Sequence, residues 1–167
     1  MQIQAFEMHF KDQTARYGDQ IIVNLINRKG YEERVGAQFQ SVINQANNPS
    51  IRYEPFDFHK ECSKMRWERL SLLMDKLEES LAVQGYYSAS PSGNTLSEQK
   101  SVVRTNCMDC LDRTNVVQSM LARRALRAFL TERNVLDKNQ QLKDLPVVDR
   151  ALANSAPRLS LTFLAVC

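Results

Sequence analysis

The sequence contains little cysteine and no long hydrophobic run, and each shortage excludes a class of protein. Its 167 residues include four cysteines, which are too few and too irregularly spaced for a disulfide-stabilised secreted domain. The longest apolar stretch, residues 159–167, is far shorter than the roughly 20 residues that a membrane span requires. The first residues also lack the basic and apolar segments of a secretory signal. We therefore predict a soluble cytoplasmic chain with free thiols and no transmembrane segment.

Net charge is also small, at +3, and the surplus is confined to one segment. Between Ser101 and Asn134 there are six arginines and three acidic residues, whereas the rest of the chain has 16 basic and 16 acidic residues. A protein that coats nucleic acid carries basic residues over a broad surface. We therefore expect no nucleic-acid partner.

Apolar residues recur at two alternating spacings along the chain. Helical spacing covers residues 3–17, 35–46, 70–81 and 114–133, and β-branched or extended runs cover residues 21–26, 51–58, 85–90 and 96–104. This alternation predicts an α/β fold, with a mixed sheet and flanking helices.

Residues 102–118, VVRTNCMDCLDRTNVVQ, lead from a β-branched run through a polar loop into a helix. Cys107 and Arg113 are separated by five residues in that loop. This spacing lets the backbone curl so that its N–H groups point inward at the positive end of the following helix. The sequence therefore predicts a Cys-x5-Arg phosphate-binding loop between a strand and a helix.

Each side chain of this loop has a predicted role in phosphomonoester hydrolysis. Cys107 is the nucleophile, because N–H dipoles and a guanidinium favour its thiolate, and Arg113 grips two phosphate oxygens. Asp112 is the first candidate for the general acid and Asp109 the second. No metal or cofactor is required. The other loop residues expected to contact the substrate are Asn106, Met108, Cys110, Leu111 and Thr114.

Three other interpretations of the cysteines stay open. Cys107 and Cys110 have the Cys-x2-Cys spacing of a thiol–disulfide exchange site. With His59 and Cys62 they also form a four-ligand set for structural zinc. Neither interpretation accounts for Arg113. Finally, free cysteines are often small buried apolar residues, and Cys110 fits that description best.

Residues 104–118 resemble the signature of the Sac-domain phosphoinositide phosphatases, the suppressor-of-actin type. Residues 17–30, YGDQIIVNLINRKG, and residues 56–67, FDFHKECSKMRW, resemble the same family. These two segments are particularly similar to its membrane-anchored branch, which acts on phosphatidylinositol 4-phosphate. The similarity runs from about residue 17 to about residue 144.

This resemblance implies a function and a set of site residues. The family's catalytic cysteine falls on Cys107 and its phosphate-binding arginine on Arg113. In the related myotubularin lipid phosphatases the favoured acid precedes the arginine, which is Asp112 here. The partner would be a phosphoinositide headgroup at a membrane surface, on the cytosolic face of the endoplasmic reticulum or Golgi.

His59 and Lys60 follow a predicted strand, at the end where open α/β sheets place ligands. They are therefore candidates for contacts with a phosphate or the inositol ring. The alternative is that they are an ordinary exposed lysine and a hydrogen-bonded histidine.

The chain departs from the family in its extent. The family's catalytic region is larger, begins with an additional amino-terminal domain and, in the anchored branch, ends in hydrophobic membrane segments. We therefore expect residues 1–144 to be a partial Sac catalytic domain and residues 145–167 to be a divergent tail. Such a chain can also be catalytically inactive and bind only phosphoinositides or a protein partner.

Overall fold

The chain divides into two units, Met1–Asp109 and Cys110–Cys167, in a computed structural model that describes residues 2–109, 112–148 and 150–151. The elements of the first unit are α1 (Gln2–Tyr17), β1 (Asp19–Asn24), α2 (Glu33–Ala46), β2 (Ile51–Pro55), α3 (Phe58–Glu61), α4 (Ser71–Gln84), β3 (Ser88–Ala89), β4 (Thr95–Ser97) and β5 (Ser101–Asn106). The predicted boundary at residue 144 concerns sequence similarity and stays a prediction.

Three strands of the first unit form a parallel sheet in the order β2-β1-β5. Ile22 of β1 is opposite Tyr53 of β2 and Arg104 of β5. Every residue of β1 after Asp19 is buried. A strand that is covered on both faces in this way requires a nearly continuous apolar run, which residues 21–23 supply.

Helices α1 and α2 cover one region of this sheet. Phe6 and Phe10 of α1 and Val42 and Ile43 of α2 form a buried cluster with Ile22 of β1. The apolar side chains of each helix recur three or four positions apart, so one face of each helix is buried. Helix α2 ends where Asn47 adopts a left-handed conformation with φ of 43°, which asparagine tolerates better than most residues.

Helix α4 confirms the helical spacing of apolar residues predicted over residues 70–81. Leu73, Leu77 and Leu81 are buried at intervals of four residues, and Leu70 is buried in the short 3-10 helix Trp67–Leu70 that precedes α4. This spacing places the leucines on one face of the helix.

The predicted α/β fold with flanking helices is confirmed, but the described strands form one parallel sheet and a separate antiparallel pair in place of the predicted mixed sheet. Two strand boundaries also differ from the prediction. The run 96–104 is divided between β4, which pairs antiparallel with β3 in a separate sheet, and β5 of the parallel sheet. The run 51–58 ends at Pro55, because Asp57 caps the start of α3 by accepting a hydrogen bond from the Lys60 N–H. Both boundaries were missed because the spacing of apolar residues along the sequence does not change where a strand moves to another sheet or where a helix cap begins.

The described part of the second unit contains α5 (Asp112–Glu132) and the short 3-10 helix Leu142–Asp144. The predicted last helix is thereby confirmed. Near its end, Arg127 donates from Nη2 to the carbonyl oxygen of Lys138 at 2.9 Å. Among the described helices of the chain, none combines the length and apolarity needed to cross a membrane.

Arg104 joins β5 to α1 through an aromatic and a histidine side chain. Its Nη1 lies 2.6 Å from His9 Nε2, and its guanidinium carbon lies 5.5 Å from the centre of the Phe10 ring. The guanidinium cannot accept a hydrogen bond, so Nε2 is the acceptor and His9 is neutral. Burial and the nearby Arg104 charge lower the pKa of His9 below 6.5, and Asp12 opposes that shift.

Acid should therefore weaken the first unit through His9. Because the folded chain has the lower pKa for His9, the unfolded chain binds more protons once the pH falls below about 6.5. The stability contributed by neutral His9 is present above that pH and is lost as the pH falls. Urea unfolding between pH 7.5 and 5 should show a larger loss for the native sequence than for His9→Gln, whose amide oxygen can still accept from Arg104. Equal losses for the two proteins would contradict this.

The connection between α1 and β1 depends on a glycine. Gly18 has φ of +73°, and a Cβ at this position would lie 2.1 Å from the main-chain oxygen of Lys100. A left-handed backbone disfavours any side chain, and the clash here is with backbone that cannot rotate away.

Gly18→Ala should therefore destabilise the chain by about 2–4 kcal/mol, which combines the left-handed conformation with the steric clash. Gly93 is the matched control, since its φ is +86° but nothing lies within 4 Å of its added Cβ. Gly93→Ala should cost about 1–2 kcal/mol, for the backbone conformation alone. Urea unfolding midpoints measure both, and equal effects would show that the Lys100 contact adds nothing.

Candidate functional site

The carboxyl ends of β1, β2 and β5 meet at one edge of the parallel sheet. The chain leaves β1 for β2 on one side and later returns to β5 on the other side. The strand order therefore reverses between β1 and β5, and α/β sheets bind ligands in the crevice at such a reversal. Cys107 follows β5 directly and lies at this crevice.

Cys107 is buried, with 6% of its surface exposed. Its Sγ donates a hydrogen bond to Asp109 Oδ1 at 3.3 Å. A carboxyl group in this position lies beside the sulfur, where an acid for the reaction is needed. The structure therefore brings together the predicted nucleophile and the second of the two predicted acids.

A chain of amide and hydroxyl side chains crosses the sheet beside Cys107. Asn106 Nδ2 donates to Asn24 Oδ1 at 2.6 Å, and Asn24 Nδ2 donates to the Tyr53 hydroxyl at 2.9 Å. Burial raises the pKa of Tyr53, and the hydrogen bond from Asn24 opposes that rise. These three side chains belong to β5, β1 and β2, so they fix the relative positions of the strand ends.

The same asparagines also connect to the loop backbone. The N–H of Leu25 donates to the carbonyl oxygen of Asn106 at 2.8 Å, and the N–H of Phe56 donates to that of Asn24 at 2.9 Å. The Oδ1 atom of Asn106 is buried and accepts no hydrogen bond from the described residues. Buried polar atoms are usually paired, so this atom is an available acceptor at the residue before Cys107.

The loops after β1 and β2 are joined by side-chain to main-chain hydrogen bonds. Asp57 Oδ2 accepts from the Arg28 N–H at 3.2 Å, and Asn27 Oδ1 accepts from the His59 N–H at 3.3 Å. These bonds hold His59 and Lys60, both exposed, at the carboxyl edge of the sheet.

Strands β2 and β5 lie on opposite sides of β1, about 10 Å apart as two strand spacings. A ligand that touches both Cys107 and Lys60 must therefore span β1.

The remaining predicted residues fall in several places. Met108 is 44% exposed, and Cys110 and Leu111 lie outside the described residues. Asp112, Arg113 and Thr114 form the first turn of α5 in the second unit, where Asp112 is exposed, Arg113 half-buried and Thr114 buried. An acidic residue in the first turn complements the positive end of the helix dipole.

The zinc interpretation involves His59, Cys62, Cys107 and Cys110. Among the described residues, no group of three or more His, Cys, Asp and Glu side chains is placed to hold a metal ion, and Cys110 is outside them. Cys62 is buried in the turn that follows α3, and this burial raises the pKa of its thiol, with a further rise from Glu61.

Sequence reasoning missed Asn24, Asn27, Glu32 and Asp57. Glu32 is buried, and its Oε2 accepts from the Asn27 N–H at 2.8 Å. Asn24 is the polar residue at the end of an apolar strand. A polar residue in that position could have indicated that the strand ends near a ligand-binding edge. Asp57 stands three residues before the N–H that it caps, which is a capping pattern. Nothing local indicates that Asn24 pairs with Asn106.

The chain is similar to one known domain and to several curated proteins. Residues 1–63 match the SacI homology domain. The chain is 42% identical over 165 residues to Phosphatidylinositol-3-phosphatase SAC1 of Drosophila melanogaster, which covers 96% of this chain and 28% of that protein. It is 45% identical over 148 residues to Phosphatidylinositol-3-phosphatase SAC1 of Saccharomyces cerevisiae, covering 85% of this chain and 24% of that protein. It is 44% identical over 147 residues to Phosphatidylinositol-3-phosphatase SAC1-A of Danio rerio, covering 88% of this chain and 25% of that protein. The chain thus spans about a quarter of the length of the curated relatives it matches.

Removing the Asn24 side chain should lower the free energy of unfolding, because the hydrogen bonds between the strands at the carboxyl edge are lost. Asn24 is 4% exposed, so Asn24→Ala leaves the Asn106 amide and the Tyr53 hydroxyl without their buried partner. We expect a loss of about 2–3 kcal/mol in the free energy of unfolding. Tyr53→Phe removes only one of these hydrogen bonds and should cost about 1 kcal/mol. Urea unfolding compares them, and a smaller loss for Asn24→Ala than for Tyr53→Phe would refute a central role for Asn24.

Proposed function

This chain belongs to the Sac-domain family, and from that premise we propose that it carries the phosphate-transferring centre of a phosphoinositide phosphatase. The substrate would be the monophosphate of a phosphatidylinositol phosphate. One observation supports this most directly: the Cys107 thiol is buried at the strand-order reversal and donates to the Asp109 carboxylate. A thiol that is held at a ligand crevice beside a carboxyl group places a nucleophile and a candidate acid together.

The first proposed step is transfer of the phosphoryl group to Cys107. The thiolate forms an S–P bond, while the P–O bond to the inositol ring breaks and its electron pair stays on the inositol oxygen. That oxygen takes a proton from an aspartic acid. Arg113 and the loop N–H groups stabilise the charge on the transferring group.

The acid of this step is Asp112 or Asp109. Asp112 is our first choice from the sequence, because it precedes the arginine. The hydrogen bond from Cys107 supports Asp109, because it shows that this carboxyl lies beside the reacting sulfur. In its protonated form either carboxyl can give its proton to the leaving oxygen.

The second proposed step hydrolyses the phosphocysteine. A water oxygen attacks phosphorus, the S–P bond breaks and its electron pair returns to Cys107 as the thiolate. The water proton passes to the aspartate that served as the acid. Inorganic phosphate then leaves, and no metal or redox change enters the balance.

We further propose phosphatidylinositol 4-phosphate as the preferred substrate, at the cytosolic face of the endoplasmic reticulum or Golgi. The similarity of residues 17–30 and 56–67 to the membrane-anchored branch supports this choice. The names of the relatives specify a 3-phosphatase, so phosphate release from the 3-phosphate and 4-phosphate isomers is to be compared directly. His59 and Lys60 are candidate contacts to the inositol ring, and Asn106, Met108, Cys110, Leu111 and Thr114 are candidate contacts to the phosphate.

Substitution of the nucleophile should abolish phosphate release. In chelator, Cys107→Ser should release phosphate from short-chain phosphatidylinositol 4-phosphate at least about 10³-fold more slowly than the native chain. Cys62→Ala is the matched control, since Cys62 is also a buried thiol but lies outside the proposed machinery. It should keep its activity. Undiminished release by Cys107→Ser would refute the mechanism.

The same assay separates the other possibilities. Faster release from the 3-phosphate isomer would overturn the preference for the 4-phosphate. Binding of phosphoinositide by the native chain without any release would favour a binding module. Loss of folded protein in chelator would favour the zinc site.

A further inference from the structure

Large apolar side chains are exposed on the loops that leave the carboxyl edge of the sheet. Tyr31 is 78% exposed on the loop after β1, and Trp67 is 45% exposed on the segment that follows α3. Soluble surfaces tolerate single exposed apolar residues. Two exposed aromatic residues on loops that leave the same ligand edge of the sheet are a more specific arrangement.

The loops that carry these aromatic residues are physically connected. The Arg28 N–H donates to Asp57 Oδ2, and the His59 N–H donates to Asn27 Oδ1. Trp67 is anchored in turn, because its ring centre lies 6.0 Å from that of Phe58, a buried residue of α3. We name residues 28–31 and 60–67 together the carboxyl rim.

The carboxyl rim is also basic. Its exposed cations are Arg28, Lys29, Lys60, Lys64 and Arg66. Its one acidic residue is Glu61, whose Oε2 accepts from Arg69 Nε at 2.9 Å, so that charge is compensated. The pKa of Glu61 is lowered, chiefly by this hydrogen bond. The two segments of the rim therefore carry a net positive charge together with two exposed aromatic side chains.

We propose that the carboxyl rim docks on an anionic lipid surface, with Tyr31 and Trp67 at the level of the headgroups. Tyrosine and tryptophan favour the membrane–water interface because their rings are apolar and their tips polar. Lysine and arginine beside them are attracted to anionic headgroups. This inference rests on the proposed function, because a phosphatase that acts on a lipid must bring Cys107 to the lipid surface. Cys107 lies at the same edge of the sheet as the rim.

A protein partner is the competing occupant of this surface. The observations favour the bilayer, because five exposed cations lie in the same two short segments as the aromatic residues. Trp67 is half-exposed and packs against buried Phe58, which suits shallow insertion of its exposed part into headgroups.

The chain carries a single tryptophan, Trp67, so its fluorescence reports on the rim directly. The native chain should be mixed with vesicles of phosphatidylcholine alone and of phosphatidylcholine with phosphatidylserine. We expect a blue shift of the emission only with the anionic vesicles, quenching by lipids brominated near the headgroup, and loss of both effects in high salt. An unchanged emission with anionic vesicles would overturn the proposal and leave a protein partner as the occupant.

Matched substitutions test the two parts of the rim. Tyr31→Ser should weaken vesicle binding by about fivefold to tenfold, from the apolar area returned to water. Tyr87→Ser is the control, because Tyr87 is 64% exposed but lies near the amino end of β5, where the Lys100 N–H donates to the carbonyl oxygen of Gln84. Lys29→Ala should weaken binding about fivefold at low salt, whereas Lys11→Ala on α1 should not.

These measurements stand apart from the test of catalysis. The vesicles contain no phosphoinositide and no turnover is measured, so an inactive chain can still confirm the docking surface. Conversely, if the chain hydrolyses short-chain substrate but does not bind anionic vesicles, the proposed phosphatase activity stands and the proposed docking surface is refuted. Equal losses for Tyr31→Ser and Tyr87→Ser, with circular dichroism showing both folded, would also refute it.

Discussion

The parallel pairing of β1 with both β2 and β5 is the constraint on which the first unit depends. Because the three strands run the same way, their carboxyl ends meet at one edge, and the loops that follow them are neighbours. Long crossover segments must then return the chain to the amino edge, and α2 and α4 lie in those segments. The buried apolar face of each helix follows from that requirement.

The carboxyl edge combines apolar burial with polar pairing. A buried amide is costly unless it is hydrogen-bonded, and Asn24 meets this condition through Asn106 and Tyr53. Such a network favours one arrangement of the strand ends, because any shift of β5 along β1 would break it. The position of Cys107 is thereby set by β1 as well as by its own strand.

Much of the fold was predictable from local patterns, because those patterns act over a few residues. The leucine spacing of α4 and the β-branched run of β1 each require only neighbours in sequence, and both predictions are confirmed. The segment 96–104 was not divided correctly, since pairing of Thr95–Ser97 with β3 and of Ser101–Asn106 with β1 depends on distant partners. The cap at Asp57 was missed because an apolar run continues through Phe58.

The sequence by itself determined the types of element, the Cys-x5-Arg spacing and the family, because these are properties of consecutive residues. Only the tertiary structure decided that Asn24 supports Asn106 and that the loops carrying Tyr31 and Trp67 leave the same edge of the sheet. Strand order brings together residues that are tens of positions apart, and no local pattern encodes that order. The free energy of the whole sheet selects it.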